Sequence, residues 1–235
     1  MERIFTKNMF IMLLSIMIGA IIITYFIADL QGNMKIDEIN LEHETQISNL
    51  QSKNINFTNN FLKSLVVLDQ AREARALANY HYDLAFLWYE NSLKDTNISD
   101  LNEHKNYTIS NCTIAMPEYQ KSHNNFKIAQ EKFRTTKDFT DYPSYIEVLD
   151  IYDNLTESGA RLTMLKYNAT QIIKQLVEKI TIKIINNTAV AAFAIDVSEL
   201  LEQLDMTLEM IIAEFGSFES FQEMIDEYEF FDEIR

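Results

Sequence analysis

The chain holds only four glycines and two prolines in 235 residues, against roughly 7% and 5% in average proteins. Sheets and hairpins take their turns from Gly, Pro, Asn-Gly and Asp-Gly, and neither of those pairs occurs here. A chain with so few breakers can be cut into only a few long pieces. The expected fold class is all-α. Because 47% of the residues are hydrophobic, there is enough apolar side chain to bury a core, and disorder is excluded as a whole-chain description.

One stretch is more apolar than a core helix requires. Residues 8–28 carry no charge, and a helix of that length rises about 30 Å, the thickness of a bilayer's hydrocarbon layer. Arg3 and Lys7 precede it, and Asp29, Asp37 and Glu38 follow. Basic residues stay on the cytoplasmic side, so the tail at 1–7 is expected inside and everything after residue 29 outside. A cleaved signal peptide would have a shorter apolar run closed by a small-x-small site, whereas this run ends Tyr25-Phe26-Ile27-Ala28. The expectation is a single-pass signal anchor whose partner is the lipid bilayer through residues 8–28. The next most apolar window, Ile184 to Val197, is interrupted by Asn186, Asn187 and Asp196.

Asparagines support the outward topology. The acceptor pattern Asn-x-Ser/Thr occurs at Asn56, Asn97, Asn106, Asn111, Asn154, Asn168 and Asn186, all beyond residue 28. With 20 Asn and 29 Ser plus Thr in the chain, chance alone gives about 2.5 matches to the pattern. The excess points to a cell-surface glycoprotein. Only Asn97 has an acid two places before it, Asp95, which bacterial transferases want. Cys112 is the sole cysteine, so no intrachain disulfide forms, unlike most animal secreted domains. Together these favour an archaeal cell surface.

Beyond the anchor, Ile36, Ile39, Ile47, Leu50, Phe57, Phe61, Leu65, Leu68, Ala71, Ala78, Tyr82, Ala85 and Tyr89 fall mostly at three- and four-residue steps, the coiled-coil spacing. Asn54, Ser64 and Arg75 interrupt it. Asp100 with Glu103 fits a capping box, Pro117 is placed to open a helix ending near Asp138, and Pro143 to open another. Gly159 lies inside the latter. Asn186 and Asn187 are expected to end it, a further helix runs from about Ala189 to Glu214 and closes at Gly216, and Ser217 or Ser220 caps a last one. The expected organisation is a helical stalk at 29–60, a bundle at 61–216 with five to six helices overall, and an acidic amphipathic C-terminal helix at 217–235. Tyr82, Ala85 and Tyr89 echo Phe126, Ala129 and Phe133. This alternation resembles the second helix of tetratricopeptide repeats, but without their period or their tryptophan half.

Chemistry is sparse. A net charge of −15 excludes nucleic acid, whose phosphates require clustered Lys and Arg. His43, His81, His104 and His123 make none of the spacings that set two metal ligands on one helix face. Neither a phosphate loop nor a nucleophile elbow occurs, so no catalytic residue, metal or cofactor is expected. The densest segment, Arg72 to Tyr89, offers Arg72, Arg75, His81 and Trp88 as a candidate cluster for a small carboxylate. One anchor feeding a long helix also resembles the four-helix sensory lobes of chemoreceptors and sensor kinases, which differ by returning through a second membrane helix. The expected role is a membrane-anchored, N-glycosylated interaction or scaffold protein without catalysis, with a protein partner or self-association. The alternative is a ligand-binding sensory module that acts through a separate membrane protein.

Overall fold

The computed structural model describes the backbone of residues 2–227, and the side chains of residues 24–26, 29–31 and 34–227. The fold is helical. Four α-helices are described: α1 (Glu2–Ser92), α2 (Ile98–Thr136), α3 (Pro143–Glu178) and α4 (Ser198–Glu227). A short 3-10 turn, Lys137–Phe139, follows α2, and a hairpin of β1 (Ile180–Ile185) and β2 (Thr188–Phe193) separates α3 from α4. The chain divides into two units, residues 1–53 and 54–235. In the first, α1 is the only element and every described side chain is exposed. Among the described residues no helix is long and apolar enough to cross a membrane. Of the expected anchor at 8–28, the side chains other than those of residues 24–26 lie outside the described ones.

The second unit is a four-helix bundle whose interior alternates small and large side chains. One core cluster joins Ala78, Tyr82, Ala85 and Tyr89 of α1 to Cys112, Ala115 and Tyr119 of α2 and Ile173, Leu176 and Val177 of α3. The other joins Phe57, Phe61, Leu68 and Ala71 to Phe126, Phe133, Leu149, Tyr152 and Leu155, with Phe218 of α4. The alanines of α1 let α2 approach closely enough for the Ser122 hydroxyl to donate to the Ala71 carbonyl at 2.7 Å. The aromatic–small–aromatic echo seen in the sequence is this packing: Tyr82, Ala85, Tyr89, Phe126, Ala129 and Phe133 are all buried. Buried hydroxyls are satisfied locally. Ser64, Thr108, Thr156 and Thr170 each donate to the carbonyl four residues earlier.

Several boundaries differ from expectation, each for a physical reason. The cap of α2 is Asn97, not Asp100: the Asn97 side-chain oxygen accepts from the Asp100 amide at 2.9 Å. Pro117 does not open a helix but sits inside α2. The lost N–H costs about 3 kcal/mol in an isolated helix, yet Cys112, Ala115, Tyr119 and Ser122 on either side are fully buried, and their packing holds the helix through it. Residues 189–193 form a strand instead of the start of a helix. The run Ile180-Thr-Ile-Lys-Ile-Ile185 is rich in β-branched residues that resist helix, and Asn186 and Asn187 both adopt positive φ, 49° and 61°. Asn is among the few residues that accept this backbone at both central positions of a type I′ turn. The hairpin edges are occupied: the Ala191 amide donates to the Asp95 carbonyl, and Lys105 and Lys183 donate to the Ile180 and Phe193 carbonyls.

Gly216 does not end a helix either. It is an ordinary exposed position inside α4, with negative φ and nothing within 4 Å of an added Cβ. The expected separate helix at 217–235 is, as far as residue 227, the continuation of α4, and residues 228–235 lie outside the described ones. Gly159 is different. A Cβ there would meet Phe126 Cε1 at 2.5 Å, and Phe126 is fully buried. The two glycines therefore respond oppositely to alanine. Gly159→Ala is expected to destabilise the bundle by about 1–3 kcal/mol through overpacking, partly offset by its better helix propensity. Gly216→Ala is expected to stabilise it by about 0.5–1 kcal/mol. Thermal unfolding of the two variants followed by circular dichroism checks both signs.

Candidate functional site

The four residues singled out as a ligand cluster occupy three environments. Arg72 and Arg75 point toward α4. Arg72 donates to Gln222, and the Arg75 guanidinium lies over the Phe218 and Phe126 rings, 4.1 and 5.6 Å from their centroids. Burial, reinforced by the neighbouring Arg72 charge, lowers the Arg75 pKa to about 10, so it stays cationic at neutral pH. Among the described residues its Nη1 is buried without a hydrogen-bond acceptor; the two aromatic faces compensate in part. His81 instead faces α2, its Nδ1 2.9 Å from Asn111 Oδ1. Because the Asn111 amide donates to the Tyr107 carbonyl, its oxygen is the acceptor and His81 the donor. Trp88 sits further along α1, stacked on His104 at 5.2 Å and against Tyr107 at 5.0 Å.

The Trp88 environment contains a pair that sequence spacing concealed. His104 Nδ1 lies 3.0 and 3.1 Å from the two carboxylate oxygens of Asp95, and Asp95 is nearly buried. Its carbonyl meanwhile accepts from the hairpin. One residue thus ties the α1–α2 loop to both α2 and β2. A second buried polar knot lies midway along the bundle, where Asn79 Oδ1 accepts from Tyr119 Oη at 2.8 Å and Lys166 Nζ at 2.9 Å. Burial holds Lys166 below the usual lysine value. Among the described residues, no group of three His, Cys, Asp or Glu is placed to hold a metal ion.

The seven acceptor asparagines divide by setting. Asn106, Asn154 and Asn168 are exposed on helices, while the Thr two places on from each (Thr108, Thr156 and Thr170) is fully buried. Two residues along a helix turn the chain by about 200°, so a core threonine sends the residue two before it to solvent. This geometry accounts for three of the pairings whether or not a glycan is attached. Asn111 is partly covered and engaged with His81. Asn56 is exposed on α1, Asn97 caps α2, and Asn186 lies at the hairpin turn.

One surface groove is a feature the sequence did not single out. A groove of about 410 Å³ runs between α3 and α4, lined by Asn168, Gln171, Ile172, Gln175, Gln203, Met206, Thr207 and Met210. It is uncharged, in a chain of net charge −15, and mixes amides with flexible thioethers, which adapt to irregular surfaces. Elsewhere on its surface α4 exposes Ile212 and Phe215. The other face of α4 is firmly docked. Phe218 is 5% exposed, Phe221 and Ile225 pack on the core, and Glu214 accepts from Ser158 and Arg161.

Two outcomes follow. Phe218→Ala is expected to cost about 3–5 kcal/mol, because it empties a packed site and uncovers Arg75; urea unfolding of the variant measures it. Burial pushes the Cys112 thiol up to about 12, so the thiolate needed for attack is absent near neutral pH. Ellman's reagent at pH 8 is expected to leave the folded protein unlabelled and to titrate one thiol once it is denatured. Compared with known proteins, the chain matches no protein-family model, no curated protein and no solved structure.

Proposed function

We propose that this chain is a membrane-anchored, N-glycosylated scaffold on the extracytoplasmic side, and that its bundle docks a protein partner without catalysing a reaction. The anchor is residues 8–28, with residues 1–7 in the cytoplasm. The observation that carries the docking role is the α3–α4 groove, with exposed Met206 and Met210 among its lining. A bundle needs α4 only for its inner face, and Leu204 and Phe218 already supply the buried contacts there. Large apolar side chains on the outer face cost solubility and are retained where something binds. The neutral lining suits a partner surface rich in amides and apolar groups rather than a strongly charged one.

A second reading has one observation in its favour. Arg75 is a buried cation whose Nη1 has no hydrogen-bond acceptor among the described residues, the kind of group that would receive a small carboxylate in a sensory module. The two readings separate in one set of measurements on the full chain. Under the scaffold reading, crosslinking in native membranes gives a discrete adduct that Met206→Glu with Met210→Glu abolishes while leaving the melting temperature unchanged, since both side chains are exposed. A saturable thermal shift with amino acids or organic acids, lost in Arg75→Ala, would overturn it in favour of the sensory reading. Topology is tested separately: protease added to intact cells is expected to remove the bundle, and full protection would sink the outward orientation.

A further inference from the structure

We infer that residues 36–54 of α1 pair with the same segment of a second copy as a parallel two-stranded coiled coil. Ile36, Asn40, His43, Ile47, Leu50 and Asn54 follow steps of four, three, four, three and four. This is an unbroken heptad, with Ile36, His43 and Leu50 at its d positions and Asn40, Ile47 and Asn54 at its a positions. Ile36, Ile47 and Leu50 are 56%, 55% and 62% exposed. Among the described residues of the unit formed by 1–53, α1 is the one element. Helices in water draw most of their stability from packing an apolar face, and this face is unpacked. The seam ends at Asn54 because the next seam residue, Phe57, is buried against Phe61 and Tyr145 of its own bundle.

The occupant follows from the flanks. On one side of the seam stand Asp37, Glu44 and Gln51, on the other Ile39, Gln46 and Lys53. A parallel pair sets each flank against the opposite flank of its partner, so Glu44 faces Ile39 and Gln51 faces Gln46. An antiparallel pair sets like flanks together, so the acidic flank meets its own copy, with Glu44 near Glu44 of the second chain. Charge therefore selects the parallel arrangement of two identical segments. The seam composition agrees. Ile at a with Leu at d favours two strands, and Asn at a fixes register at some cost in stability. Each buried Ile or Leu removes about 60–120 Å² from water, so Ile36, Ile39, Ile47 and Leu50 from two chains bury roughly 500–1,000 Å². That approaches the ~1,000 Å² of a specific interface, and His43 and the asparagines add to it.

The pairing needs only these residues and stands apart from the scaffold reading. Its test uses the full chain in detergent, where Cys112 is buried and silent. Asn40→Cys and Leu50→Cys place thiols on the seam, and Ser52→Cys places one on the opposite side of the helix. Mild oxidation is expected to give self-crosslinked dimers at the two seam positions in about tenfold excess over Ser52→Cys, and adding Ile47→Asp to either is expected to abolish them. Bundle melting, unchanged by these substitutions, shows that the chain remains folded. Equal yields at all three positions, or a wild-type chain that sediments as a monomer, would overturn the proposal. So would a mixture of the two seam variants that crosslinks 40 to 50 in preference to like positions, which would show antiparallel pairing.

Discussion

Everything in the bundle passes through the contact between Phe126 and Gly159. The ring of Phe126 occupies the space where any other residue at 159 would place its Cβ, which locks α2 and α3 at one depth and one rotation. The same ring meets Phe218 of α4 edge-on at 6.2 Å and lies under the Arg75 guanidinium of α1. All four helices are therefore gauged from a single side chain. Close-packed interiors transmit small volume changes rather than absorbing them. The small residues on α1 and α2 and the buried threonines on α2 and α3 are what allow the helices to come this near.

How much of this was legible follows from which signals are local. The shortage of Gly and Pro led correctly to long helices, and of the α1 stripe Phe57, Phe61, Leu68, Ala71, Ala78, Tyr82, Ala85 and Tyr89 are buried, Leu65 is partly buried, and Ile36, Ile39, Ile47 and Leu50 are exposed. Single residues with two uses misled. Pro117 carries the sign of a helix start, but burial on both sides overrides the missing hydrogen bond. Gly216 carries the sign of a helix end, but nothing in its surroundings calls for a left-handed residue. The hairpin was hidden because its turn is Asn-Asn, a weaker signal than Asn-Gly, and the same residues were misread as the end of a helix that in fact stops at Glu178.

Contacts between helices were out of reach. Asp95 and His104 are separated by a loop and a cap, and nothing in their spacing says that the chain folds one back onto the other. Arg72, Arg75, His81 and Trp88 looked like one cluster because they are close in sequence, yet residues a few places apart on a helix point in different directions. Arg75 turns to α4, and His81 and Trp88 meet α2 at different levels, on Asn111 and on His104 with Tyr107. The α3–α4 groove has no sequence signature, since its amides and methionines come from segments about thirty residues apart and none is unusual alone.

Asn168 belongs both to that groove and to an acceptor tripeptide. A sugar chain attached there would stand in the same space that a docked protein would fill, so the two conditions are mutually exclusive at this one side chain. Were Asn168 glycosylated, the occupancy of that one side chain would set which copies have this face accessible, with no change in shape required.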